Sequence, residues 1–196
     1  MKLKGQRETK ETTVKMELTT GPQDAEVEVA WEHHGKLDEE VDEGMARHLY
    51  HTLLRYARLQ GSLSTTGDLA HHVIEDAAIL LGQELGAFAR GKTLTRFGDV
   101  TMAMDDALVQ VVLDAGGRAY YESELEGVSP LWDHVMRTIA SEAHFTVHVL
   151  PIRGHDPHHL VEAALKALGM ALHEALAPSD RLESTKGQPT YEEDAA

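Results

Sequence analysis

The sequence predicts an α+β fold built from two similar halves, each β-β-α-β-α, with sheets packed against helices. Two observations predict it. His71-His72-Val73-Ile74-Glu75 and His158-His159-Leu160-Val161-Glu162 share one His-His-x-x-Glu pattern 87 residues apart, and Arg47-His48 and Asp133-His134 each open an amphipathic stretch 86 residues apart. Two independent landmarks at nearly one offset indicate a duplication, and two copies of so long a period do not make a solenoid. The hydrophobic periodicity then alternates between two and 3.6 residues in the same order in both halves.

In the first half, Thr12 to Leu18 alternates with Val14, Met16 and Leu18 on one face, which predicts a strand. Gly21-Pro22 marks a turn, and Ala25 to Trp31 alternates again through Val27 and Val29. His33 to Glu43 is polar and predicts a loop. Met45 to Leu59 carries Leu49, Leu53, Leu54 and Ala57 at helical spacing. A short strand near Ser62 to Thr66 precedes a helix from the first His-His pair to about Ala89.

In the second half, Val100 to Asp114 and Arg118 to Leu125 read as a hairpin about Gly116-Gly117. Leu131 to Glu142 is helical, Phe145 to Pro151 is a strand with Val147 and Val149 on one face, and His158 to about Ala177 is an amphipathic helix through Val161, Leu165, Leu168 and Leu172. The expected organisation is a first half over 1–90, a second over 91–187, and a short disordered acidic tail over 188–196.

Composition narrows the function classes. A hydrophobic fraction of 42% is that of a globular chain, and no apolar run approaches a membrane span. The formal net charge of -15 argues against nucleic acid as a partner, because phosphate contacts need clustered Lys and Arg. The absence of cysteine excludes disulfides and thiolate chemistry. With a polar first ten residues, it leads to the expectation of a cytoplasmic protein. The unusual figure is 13 histidines.

The His-His-x-x-Glu spacing explains why they are grouped. In the first turn of a helix, residues three or four apart share a face, so one histidine of each pair can stand beside the glutamate. Its neighbour points about 100° away around the helix and is free to reach a second ion. Imidazole and carboxylate without sulfur suit Mn, Fe, Co, Ni or Zn. His48 and His148, each set among apolar neighbours, are read as further ligands. His134 stays open between a ligand and a packed core histidine, and His33, His34, His51, His144, His155 and His173 are read as surface or supporting groups.

The sequence also resembles the imidazoleglycerol-phosphate dehydratase family over about Arg7 to Gly187. The resemblance rests on Arg7-Glu8-Thr9-Lys10-Glu11-Thr12, the two His-His-x-x-Glu segments, Arg96-Phe97-Gly98, Met104-Asp105-Asp106-Ala107-Leu108 and Asp114-Ala115-Gly116-Gly117-Arg118. It extends through Thr146-Val147-His148, Glu162 to Leu168, and Ser184-Thr185-Lys186-Gly187. It implies a hydro-lyase of histidine biosynthesis that eliminates water from imidazole glycerol phosphate to give imidazole acetol phosphate. It implies two Mn(2+) ions per site, held by His48, His71, His72, Glu75, His148, His158, His159 and Glu162. Glu11 and Glu162 would be the catalytic acid and base, and Arg96, Arg118, Lys166, Ser184 and Lys186 would hold a small phosphorylated imidazole substrate. A large symmetric homo-oligomer, a 24-mer by that resemblance, would complete the site. Arg47, Tyr56 and Leu69-Ala70 depart from the family's Asp, His and Asp-Asp. They leave an alternative, a catalytically altered paralogue that keeps the metal site for assembly or for binding a related azole phosphate.

Overall fold

The structure is a computed structural model that describes residues 1–22, 26–34, 42–125, 127–184 and 187, with backbone only at Trp31 and His33. The first half comprises β1 (Lys2–Glu8), β2 (Thr12–Thr20), β3 (Val27–His33), α1 (Glu43–Tyr56), β4 (Leu59–Gly67) and α2 (Ala70–Ala89). The second comprises β5 (Phe97–Met104), β6 (Ala107–Asp114), β7 (Tyr120–Ser123), α3 (Pro130–Ala143), β8 (Thr146–Arg153) and α4 (Pro157–Ala175). Two four-stranded sheets result, ordered β1-β2-β4-β3 and β5-β6-β8-β7, and the last strand of each pairs in parallel while the rest are antiparallel. The α+β fold of two similar halves is therefore present, with one more strand in each half than the periodicity predicts.

The extra strands have physical causes. β1 is an edge strand in which Leu3 alone is fully buried, so its sequence carries little alternation. The stretch 100–114 is not one strand but two, reversing at Asp105-Asp106, where Asp105 has φ 48. Aspartate enters the left-handed region more readily than most residues, which lets a tight hairpin form without glycine. The hairpin expected about Gly116-Gly117 does not form. β6 pairs with β8, and the segment after Gly117 lies on the far side of β8 as β7. The helix expected to reach Leu59 stops at Tyr56, because Arg58 turns at φ 54 and Leu59 already belongs to β4. The tail over 188–196, most of the loop expected over 33–43 and part of the 25–31 strand segment lie outside the described residues.

Each sheet buries one face. In β2, Thr12, Val14, Met16 and Leu18 point inward, and in β6, Ala107, Val109, Val111 and Leu113 do. Helices α1 and α2 cover the first sheet, and α3 and α4 cover the second. The halves meet helix to helix, α1 against α4 and α2 against α3. Glycine makes both crossings close. A Cβ at Gly169 of α4 would stand 2.5 Å from the Leu53 carbonyl oxygen of α1, and one at Gly82 of α2 would stand 2.9 Å from the Ile139 carbonyl oxygen of α3. Gly82 and Gly169 are themselves 87 residues apart, so the duplication includes the crossing points. One apolar core runs through the sheets and helices of both halves. Among the described residues no helix is long and apolar enough to cross a membrane.

Candidate metal and substrate site

The crossings decide which histidines meet which glutamates. Asp42 caps α1 by accepting from the Met45 N–H, and the chain then presents His48 on its second turn. Asp156 caps α4 by accepting from the His158 and His159 N–H groups, which fixes the motif in the first turn as its spacing requires. Where α1 crosses α4, His48 Nε2 stands 3.3 Å from Glu162 Oε2, and His158 Nε2 stands 3.1 Å from the same oxygen. The reciprocal contact forms where α3 crosses α2, with His134 Nε2 3.1 Å from Glu75 Oε1. The histidine on the first helix of each half thus meets the glutamate of the other half.

Donor atoms of His48, His158 and Glu162 all lie within 4.8 Å of one another, and so do those of Glu11, Asp68 and His72. Donors bound at roughly 2.1 Å to one divalent ion stand about 3–4 Å apart. Two of the three separations in each trio, 3.3 and 3.1 Å about Glu162 and 3.5 and 3.1 Å about His72, fall in that range, and the oxygen and nitrogen chemistry is what a borderline or hard ion takes. The His71 ring lies 4.3 Å from that of His72. In the second half His159 is gripped by the β5–β6 turn, with Nδ1 2.7 Å from Asp106 and Nε2 3.4 Å from Asp105.

Electrostatics set the charge states. Burial opposes ionisation of Glu162, but Lys166 at 2.9 Å and His48 outweigh it and hold its pKa below the ordinary carboxylate value. The hydrogen bond to Asp68 raises the pKa of His72, and that to Asp106 raises the pKa of His159. Asp106 in turn falls to about 2, through His159 and the His155 and Asp156 N–H groups that it accepts.

The expected phosphate residues are divided. Arg96, at φ 73, donates through Nε and Nη2 to Asp114 at 2.6 and 2.9 Å and through Nη1 to the Glu183 carbonyl. Three of its five N–H donors are engaged and its plane is fixed. It lines a cleft of about 530 Å³ with Arg90, Lys92, Gly117 and Ser184. Arg118 is exposed on the strand-side continuation of Gly117. Lys166 is elsewhere, on Glu162, against Met104 Sδ and 5.7 Å from the ring centre of Tyr56. Lys186 lies outside the described residues. His148, expected as a ligand, sits on β8 with its ring 5.5 Å from that of Tyr120, in neither trio. His134 is likewise in neither trio, but it stands against Glu75 as His48 stands against Glu162. Its signal was the 86-residue offset from His48, which periodicity alone could not turn into a contact. Asp133, which precedes it, is 2% exposed and is satisfied by the Tyr121 hydroxyl at 2.8 Å and Arg137 at 2.9 Å. The acid at this position is thus balanced within its own half.

Fold and clusters together define a duplicated α+β sandwich whose two halves exchange imidazole and carboxylate donors across a shared helical layer. The model of the imidazoleglycerol-phosphate dehydratase family matches residues 42–172. The imidazoleglycerol-phosphate dehydratase of Pyrobaculum arsenaticum is 42% identical over 194 residues, covering 92% of this chain and 97% of that one. That of Nocardioides sp. is 36% identical over 197 residues, covering 89% and 98%. The crystal structure of IGPD from Pyrococcus furiosus superposes with a TM-score of 0.76 at 32% identity, covering 94% of this chain and all of that one. The chain belongs to the imidazoleglycerol-phosphate dehydratase family.

Proposed function

We propose that this chain is an active imidazoleglycerol-phosphate dehydratase, removing water from the glycerol-phosphate chain of its substrate to give imidazole acetol phosphate. The observation that carries the proposal is the convergence of His48, His158 and Glu162 from both halves onto one point, in a member of this family. Divalent ions, Mn(2+) with two per site, would be held by His48, His158 and Glu162 and by His71, His72, Glu75 and His159. His134 would take the place that the sequence assigned to His148. When bound, such ions would polarise the azole ring and favour loss of its proton.

The protein's own groups do the rest. Glu162, kept ionised by Lys166 and His48, serves as ligand and base rather than as acid. Glu11, at the β1–β2 turn, stands 3.5 Å from His72 Nδ1 with its carboxylate exposed, and would exchange the second proton. Arg96, pre-aligned by Asp114, acts with Arg118, Ser184 and Lys186 on the phosphate, whose oxygens match guanidinium and ammonium donors. Lys166 supplies a cation beside Glu162. His48, His134 and His158 keep 48%, 49% and 38% of their side-chain surface exposed, which leaves room for donors from neighbouring copies in a large symmetric homo-oligomer. Such an enzyme would work in the cytoplasm.

The test is turnover by the purified, Mn-loaded protein with imidazoleglycerol phosphate. Loss of water at an enzymatic rate with stoichiometric bound metal is expected. Bound metal without turnover would refute the dehydratase reading.

A further inference from the structure

His72 and Asp76 lie four residues apart on α2 and therefore on one face, turned toward the β1–β2 turn that carries Glu11. Asp76 is 9% exposed, and both of its oxygens are occupied. Oδ1 accepts from Arg7 Nε at 2.9 Å, and Oδ2 accepts from the Thr12 hydroxyl. Thr12, 4% exposed, is in hydroxyl contact with Thr9 at 3.0 Å. Thr9 Oγ1 in turn accepts the N–H groups of Glu11 at 3.1 Å and Thr12 at 2.9 Å. The Glu11 carbonyl accepts from the Asp68 N–H, which ties the turn to the start of α2 a second time. A buried carboxylate is costly unless it is paired and hydrogen-bonded, and here its partners all belong to the turn or to the strands it joins. Position 163, 87 residues on, is alanine, and the second-half turn is held instead by Asp106 on the His155 and Asp156 N–H groups. The Asp76 anchor is confined to the half that carries Glu11.

We propose that Asp76 is a positioning residue for Glu11. It clamps the β1–β2 turn, through Thr12, Thr9 and Arg7, to the face of α2 that bears His72, and so sets the separation between the Glu11 carboxylate and the imidazole cluster. This rests on the reading of Glu11 as a proton-transfer group. A carboxylate displaced by about 1 Å can cost about 100-fold in rate.

The experiment uses the assembled Mn-loaded protein and the variants Asp76→Ala, Thr12→Val, Thr12→Ser and Glu11→Gln. Asp76→Ala and Thr12→Val are each expected to lower kcat by about 100-fold, with KM and bound metal near wild type. Thr12→Ser, which keeps the hydroxyl, recovers most of the rate. Asp76→Ala adds little further loss in the Glu11→Gln background, and amide exchange at Glu11 and Thr12 quickens. A purely structural role would instead multiply the two losses or lower metal content, and either result overturns the proposal. An impaired Glu11→Gln beside a fully active Asp76→Ala overturns it alone. Full turnover in Glu11→Gln overturns the underlying reading of Glu11 and this proposal with it. If Asp76→Ala does not assemble, Thr12→Val carries the same test with the Arg7–Asp76 pair intact.

Discussion

Gly169→Ala tests whether the close crossing of α4 over α1 builds the donor trio. The added Cβ would lie 2.5 Å from the Leu53 carbonyl oxygen, 2.9 Å from the Ala57 nitrogen and 2.9 Å from the Tyr56 Cβ. Two of these atoms are backbone and cannot rotate away, so the helices must part by roughly 1 Å to restore ordinary contact. Overpacking of this kind costs about 1–3 kcal/mol, while alanine in a helix interior returns about 1 kcal/mol over glycine. With backbone on the receiving side the clash lies in the upper part of that range, about 2–3 kcal/mol, and the net loss is about 1–2 kcal/mol. For a chain of this length that lowers the apparent Tm by about 2–8 °C. The same displacement carries Glu162 away from His48, so metal affinity falls as well. Both are read on one preparation, by thermal unfolding of the metal-free protein and by competition titration with a chelator. Gly127→Ala is the control, since nothing lies within 4 Å of its added methyl, and it stays within about 0.5 kcal/mol of wild type. A Gly169→Ala protein with unchanged Tm and unchanged metal affinity would refute the claim that the crossing distance sets the cluster.

Three further outcomes follow from named contacts. His134→Ala lowers metal content, whereas His148→Ala leaves it at the wild-type level; the reverse result, by elemental analysis of the purified variants, would return the ligand role to the strand. Metal affinity rises with pH, because Asp68 and Asp106 raise the pKa values of His72 and His159, and both must shed protons to bind an ion. Competition titrations at about pH 6 and about pH 8 check it, and equal affinities at the two would contradict it. Asp133→Asn keeps the Tyr121 hydrogen bond but weakens the pairing with Arg137. As Arg137 is half exposed, the loss sits at the low end for a charged hydrogen bond, about 1–2 kcal/mol, read as a shifted denaturation midpoint at unchanged slope.

Much of this was legible in the sequence. The duplication is visible because ligand chemistry demands one fixed spacing, His-His-x-x-Glu, and a spacing repeated at 87 residues cannot come from a shared surface preference. All four helices were legible because each carries a continuous apolar stripe. What escaped lies where burial is partial or contacts are remote. β1 buries too little to alternate, and the reversal at Asp105-Asp106 uses left-handed aspartate where the pattern promised glycine. The cross-half exchange was out of reach, since nothing in residues 43–56 states that α1 will lie on α4. For the same reason the sequence favours His148, on a strand with alternating valines, as a ligand and leaves His134 open, whereas the helix crossing puts His134 against Glu75. Asp76 passed unnoticed because a lone acid after Glu75 has no periodic signature; its role appears only when Arg7 and Thr12 fold over it.

The near two-fold relation of the halves raises a question that chemistry answers. Two similar sets of imidazole and carboxylate would suit two ions, yet the proposed substrate, with an azole at one end and a phosphate at the other, has no two-fold symmetry. The protein must break its own symmetry wherever the substrate is asymmetric. It does so beside both glutamates. Lys166 sits one turn after Glu162 and pairs with it at 2.9 Å, while the residue one turn after Glu75 is Ile79. Glu11 and Asp68 put two carboxylates around His72, while around His159 the two acids both come from one hairpin turn, Asp105-Asp106. On the proposed function, duplication supplies the donors, and the unmatched residues, Lys166 in one half and the Asp76-anchored Glu11 in the other, would give the site a direction. Exchanging one of them is the corresponding test. Lys166→Ile makes that position like the first half, and should keep bound metal while impairing turnover by removing the cation that pairs with Glu162. Loss of metal along with activity would instead mean that Lys166 maintains the donor trio itself, and the directional argument would fail.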